Sequence, residues 1–226
     1  MTTQAVTKVD AKTDKPQSLR DAMVFTAARW LPQRGMAAVN LIEVARAVNA
    51  PRGSIYHYFP GGRDQLLQEA LALAAKSGLR MIEKALRNAT TASATAVTPK
   101  PSLEAFVRAI FSTGQLQINT SNFSGGCPVG AAVLSSETES AAFQHALQAI
   151  FANWQTALSA AFMSLGAANS VQASQWARCA LMAYEGALVC AKAERNPLAA
   201  AETFDLAAHM VLQLLAPPKP AENRTL

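Results

Sequence analysis

The 226-residue chain is half hydrophobic, only 15% charged, and carries a net charge of +5, which is length and apolar content enough for one large domain or a small domain joined to a larger one. Much of the apolar content is alanine, and strict alternation of Val, Ile and Thr is missing, which argues against a sheet-based fold and predicts an all-α protein. The N-terminus lacks an apolar core of signal-peptide length and no apolar run approaches the roughly 20 residues of a membrane span, so a cytoplasmic protein without a membrane partner is expected.

Residues 1–17 are polar, with Lys8, Lys12 and Lys15, and have too few large apolar groups to offset ordering entropy, so they read as a disordered arm. Helical spacing begins after Ser18, a good N-cap with Asp21 three residues on, and runs through Leu19, Met23, Ala27 and Trp30 until Gly35 offers a stop. Asn40 can cap the short helix "LIEVARAV", after which Asn49 tolerates the left-handed conformation of a tight turn. Pro51 suits the first position of another helix, "PRGSIYHYF", ended by Pro60, Gly61 and Gly62. A long helix is expected from about Arg63 to Asn88, broken by "ATTASATAVTPKP". Further helices are predicted near 102–119, 128–135, 137–165, 170–194 and 197–215, followed by a flexible tail at 217–226.

Charge is unevenly placed along this series. Residues 1–90 hold 13 Lys+Arg against 7 Asp+Glu, whereas residues 91–226 hold 7 against 8. Localised basicity is the electrostatic footprint of a nucleic-acid-binding unit attached to a nearly neutral one. Val44, Ala45 and Val48 give the first short helix an apolar face, and Ile55 and Phe59 give the second an inward anchor. Arg52, Ser54, Tyr56, His57 and Tyr58 are then left on or beside the outward face. Such a helix-turn-helix presents its second helix to the major groove of double-stranded DNA. Arg52, with its rigid fork of donors, is the candidate for reading guanine, and the tyrosine hydroxyls suit phosphates.

The stretch "LIEVARAVNAPRGSIYHYFPGGRDQLLQEAL" resembles the signature of TetR-family transcriptional repressors, a likeness covering about residues 18–70. The resemblance implies an N-terminal three-helix DNA-binding domain at 18–63 and a helical ligand-binding and dimerisation domain at 64–216. It also implies that Asn40 caps a helix beside a phosphate, that Arg52, Gly53, Ser54 and His57 approach bases, and that Tyr56, Tyr58 and Arg63 grip the backbone. In this chain Asn40 stands where the family often has Thr or Ser, Ala50 where it often has Ser, and Arg63 where it often has Lys. "SGGCPVGAAVLSSE", residues 124–137, resembles the LmrA- and YxaF-like branch, which implies a small hydrophobic effector.

Read by residue type, Phe106, Ile110, Phe111, Phe151, Trp154, Trp176 and Tyr184 either line a pocket between helices or pack the core. Gln115, His145, Asn153 and Glu185 are polar groups able to orient a ligand. Cys127, just before Pro128, is placed to cap a helix whose dipole would favour the thiolate, which permits redox sensing; the alternative is a small buried thiol in a turn. Cys179 and Cys190 read as small hydrophobes, and the three cysteines have neither metal-ligand spacing nor an even count for disulfides, so no metal or cofactor is expected. Ala180, Ala183, Gly186, Ala187 and Ala191, with Phe204, Ala208, Val211 and Leu215, form apolar stripes that serve either a homodimer interface or burial within one chain. Only three histidines are present, and no Ser/His/Asp or phosphate-loop spacing is recognisable. A ligand-responsive repressor is therefore expected in preference to an enzyme.

Overall fold

A computed structural model of the chain describes residues 18–91, 102–135 and 141–215. The expected arm at 1–17, most of the Thr-rich break at 89–101, the start of the helix expected at 137–165 and the tail lie outside the described residues. Among those described, every regular element is helical: α1 (Leu19–Arg34), α2 (Leu41–Ala47), a 3-10 turn (Arg52–Ser54), α3 (Ile55–Tyr58), α4 (Gly62–Thr91), α5 (Leu103–Thr120), α6 (Pro128–Val133), α7 (Ala141–Ser164), α8 (Ser170–Glu194) and α9 (Pro197–Leu215). The all-α expectation therefore stands.

Local chemistry sets the ends of the first elements. The Ser18 hydroxyl accepts from the Asp21 amide at 3.0 Å, and the Asn40 side chain accepts from the Ile42 amide at 2.8 Å and the Glu43 amide at 3.4 Å. Both satisfy amide groups that a helix start leaves without partners. Asn49 takes φ 56° in the turn after α2, the left-handed region that Asn tolerates better than most residues. The reading segment departs from the expected single helix. Arg52–Ser54 form a 3-10 turn and only Ile55–Tyr58 are α-helical, with Pro51 left outside at ψ 135°. Its glycine, its short length and the turn beginning at Pro60 leave too few residues for a full set of α-helical bonds.

Ile55 and Phe59 point inward and are buried with Val44 and Ala45 of α2 and with Met23, Ala27 and Leu31 of α1. Arg20 reinforces this packing, since its guanidinium lies 5.2 Å from the centre of the Phe59 ring and meets Glu69 of α4 at 2.6 Å. The rest of the protein packs α4, α5, α7, α8 and α9 against one another. Two helices belong to both halves: α1 packs on α2, α4 and α6, and the 30-residue α4 continues from the reading segment into contact with α5 and α7.

The C-terminal helix corrects one expectation. Pro197–Leu215, 19 residues with mean hydropathy 1.2, is long and apolar enough by length and composition to cross a membrane. Here it packs against α5 and α8, burying Phe204, Ala208, Val211 and Leu215. The large residues of that stripe therefore serve the core of one chain. Ala180, Ala187 and Ala191 of α8 are buried likewise.

Candidate functional site

Two features of this fold carry functional chemistry, and the first is the face around α3. Arg52, Gly53, Tyr56 and His57 are exposed and Ser54 and Tyr58 half-buried, while Ile55 and Phe59 between them are buried. A short amphipathic element thus turns one side to the core and offers a guanidinium, an imidazole and phenol groups on the other. The Ser54 hydroxyl donates to the Pro51 carbonyl at 2.8 Å, stabilising the 3-10 turn that carries Arg52. The exposed Asn40 caps the neighbouring α2.

Arg63 has a second duty that spacing could not show. Its Nη2 donates to the Met36 carbonyl at 2.8 Å and its Nε to the Val39 carbonyl at 3.2 Å. A side chain from the first turn of α4 therefore holds the connection between α1 and α2. The planar fork makes two such bonds together, which a Lys ammonium cannot reproduce from one nitrogen in the same geometry.

The second feature is a cavity of about 540 Å³ walled by α1, α4, α5, α7, α8 and the turn leading into α6. Of the sequence candidates, Ile110, Cys127, Trp154 and Tyr184 line it, and so does Glu185. Phe106, Phe111, Phe151 and Trp176 do not. Phe106 and Trp176 meet Phe162 edge-on at 5.4 and 5.8 Å, Phe111 packs on Tyr184 at 5.9 Å, and Phe151 on Trp154 at 5.5 Å. They form the layer that supports the wall. Gln115, His145 and Asn153 are also absent from the lining, whereas Gln117, two residues after the expected Gln115 and so on the other side of α5, faces it.

Phe25, Ala28, Arg29, Pro32 and Gln33 of α1 also face the cavity, a contribution from the reading half that periodicity could not reveal. Polar contacts fasten α1 to the far side of the cavity and α5 to the turn before α6. Lys192 Nζ of α8 donates to the Pro32 carbonyl, Gln33 Nε2 donates to Ser124 Oγ at 3.3 Å, and Gln117 Nε2 donates to the Gly126 carbonyl at 2.8 Å. Trp154 Nε1 donates to the Ala75 carbonyl of α4 at 3.0 Å, which fixes the indole edge on the wall.

Cys127 caps α6, its sulfur accepting from the Gly130 amide at 3.2 Å, as the position before Pro128 led us to expect. Of the two readings of this cysteine, the electrostatics fit the small buried thiol. Burial, with Glu185 beside it, pushes the thiol far above its usual range, so the bond from one amide of a six-residue helix does not yield a thiolate. Burial likewise raises the Tyr184 phenol, whose hydroxyl lies 3.6 Å from the Met81 sulfur. Burial also holds the Glu185 carboxyl above the ordinary carboxylate range, and the hydrogen bond with Cys127 only partly opposes it.

Known proteins match both halves of the chain. Residues 25–70 match the model of bacterial regulatory proteins of the tetR family, and residues 103–203 match the C-terminal domain of LmrA/YxaF-like transcriptional regulators. The HTH-type transcriptional regulator Rv0196 of Mycobacterium tuberculosis is 29% identical over 213 residues, covering 92% of this chain and all of that protein. YxaF of Bacillus subtilis is 26% identical over 152 residues, covering 66% and 73% of the two chains. Among solved structures, a cysteine mutant of the TetR-family regulator CifR, complexed with 26 bp double-strand operator DNA, shares the fold at TM-score 0.67 and 20% identity, covering 86% of this chain and 98% of that one. The helix-turn-helix, the helical C-terminal half and these matches agree: the chain belongs to the TetR family of DNA-binding transcriptional regulators, with a C-terminal domain of the LmrA/YxaF-like type.

Proposed function

We propose that this protein is a homodimeric repressor that leaves a palindromic operator when a small hydrophobic molecule fills the cavity. The observation that carries this reading is that α1, a helix of the DNA-reading half, is also a wall of the cavity. A ligand seated there touches the reader itself. The DNA-binding unit spans 18–63, with Arg52, Gly53, Ser54 and His57 toward bases and Asn40, Tyr56, Tyr58 and Arg63 toward the phosphate backbone. Residues 64–216 bind the effector and the second subunit, and the protein works in the cytoplasm, where its operator lies.

A second chain fits the outward side of α8 and α9. Met182, Val189, Leu206, Met210 and Leu214 are each more than half exposed, and Gly186 lies between the first two along α8. A Cβ added at Gly186 would meet nothing within 4 Å inside this chain. Glycine inside a helix costs about 1 kcal/mol relative to alanine, and close approach of a partner helix gives it a use. Exposed apolar surface of this kind, running along two adjacent helices, marks an interface. The four-helix contact expected from sequence thus uses these residues in place of the Phe204–Leu215 stripe.

Two reading helices must be roughly 34 to 36 Å apart to enter successive major grooves, and occupancy of the cavity shifts α1 and α4 away from that spacing. A coupling of a few kcal/mol between the two states suffices. The test is a band shift of the chain's own promoter region. A sequence-selective complex, released by small apolar molecules that quench Trp154 fluorescence, is expected; absence of any selective complex would overturn the reading.

A further inference from the structure

The chemistry of the cavity wall narrows the ligand class, on the reading that this cavity is the effector site. We propose that the effector is an apolar molecule bearing one positive charge, an amine or quaternary ammonium, with its charge at Glu185 and its apolar body against Trp154, Tyr184 and Phe25.

Two ionic side chains reach the lining, Arg29 and Glu185. Arg29 is exposed on α1, its guanidinium 6.0 Å from the centre of the Phe25 ring, so water remains its main partner. Glu185 sits in the middle of α8 against the half-buried start of α6. Among the described residues no Lys or Arg makes an ion pair with it. The groups that face it are the Cys127 thiol from the start of α6 and the adjacent Tyr184 phenol. Lys192, two turns further along α8, is committed to the Pro32 carbonyl.

Room for the carboxylate is built into the neighbouring helix. A Cβ at Gly130 would stand 2.8 Å from Glu185 Oε2, so a side chain at that position would displace the acid. The thiol satisfies one of the several acceptor sites of a carboxylate, and the rest are available to the cavity. An acid desolvated without a cation is costly, which is why Glu185 holds its proton more tightly than an exposed carboxyl. A cationic ligand removes that cost, an anionic one adds to it, and a neutral one leaves it in place. Trp154, Tyr184 and Phe25 line the same cavity and offer apolar surface to the uncharged body of such a ligand.

The test is calorimetric titration of the full-length protein with trimethyl(1-naphthylmethyl)ammonium, whose charge does not titrate, and with its uncharged carbon isostere 1-neopentylnaphthalene. The cation is expected to bind about tenfold or more tightly than the isostere. Its affinity should rise with pH from the ordinary carboxylate range upward, with proton release seen as a heat that varies with the buffer. E185Q should bring the two affinities within about twofold and abolish proton release. Equal or tighter binding of the isostere by the wild type, without proton release, overturns the charge assignment and leaves the effector cavity standing. Binding of neither compound overturns the cavity reading together with it. The wild-type comparison decides the matter if E185Q does not fold.

Discussion

The helix-turn-helix face and the cavity differ in how far along the chain their residues are drawn. The proposed reading face draws on residues between Asn40 and Arg63, whereas the cavity takes residues from Phe25 to Leu188 and from six helices. The first is a local construction. Caps, a turn and one inward pair, Ile55 and Phe59, orient a few exposed side chains, so most substitutions on the outer face alter affinity without touching stability. The second exists only because distant helices pack. Its wall residues are also core residues, as the buried Trp154 and Tyr184 show, so a change there alters the packing of the fold along with the shape of the cavity. The helices α1 and α4 belong to both, and they provide the physical route by which one can affect the other.

Several measurements would break or sharpen this contrast. The largest effect is expected where an unpaired charge is forced into the proposed interface. Val189→Glu should cost roughly 3–5 kcal/mol of association per chain and give a folded monomer by light scattering. A dimer of unchanged affinity would place the interface elsewhere.

Phe59→Ala should remove about 3–5 kcal/mol of stability in urea titration, because a fully buried ring leaves a cavity behind. A loss well under 1 kcal/mol would mean that the reading segment is held by something other than its inward anchor. Arg52→Ala should cost about 1–3 kcal/mol of operator affinity and relax discrimination at one base pair, with thermal stability unchanged. Uniform weakening across all DNA sequences would assign Arg52 to phosphate.

Asn40→Ala should cost about 1 kcal/mol of stability by loss of the α2 cap, detectable by thermal melting with the free protein. The smallest effect carries a sign. Burial raises the Glu185 carboxyl above its unfolded value, so the folded state binds that proton more tightly and loses stability as pH rises through and above the ordinary carboxylate range. Glu185→Gln should therefore raise Tm near neutral pH, with the gain fading below about pH 4. A gain of equal size at both pH values would show that shape, not charge, sets the effect.

Much of the reading half was legible because its determinants are short-range. Ser18 and Asn40 cap helices, Asn49 takes the left-handed turn, and Gly62 adopts φ 68° at the start of α4. Each depends on neighbours within a few positions. The 3-10 form of Arg52–Ser54 was missed because Pro51 and the 3.6-residue pattern suit an α-helix equally well, and the shortness of the segment decides otherwise. Arg63 was legible as a cation at the start of the long helix, but its bonds to Met36 and Val39 depend on a loop 24 to 27 residues earlier.

In the C-terminal half the sequence named the materials and left their positions open. Bulky aromatics were visible, yet Trp154 and Tyr184 face the cavity while Phe106 and Phe111 fill the layer behind it. Cys127 was placed correctly as a cap, but its thiol is governed by burial among distant helices, to which Glu185, 58 residues away, adds. On α9 the Phe204–Leu215 stripe and the Leu206–Met210–Leu214 ridge are both apolar, so periodicity could not choose the inward one. By itself, the sequence determined the helical class, the caps and the chemistry displayed at the reader, because these follow from backbone propensity and side chains close along the chain. Only the tertiary structure decided which aromatics wall a cavity, which acid is desolvated and which face is left for a partner, because each depends on what a distant helix covers.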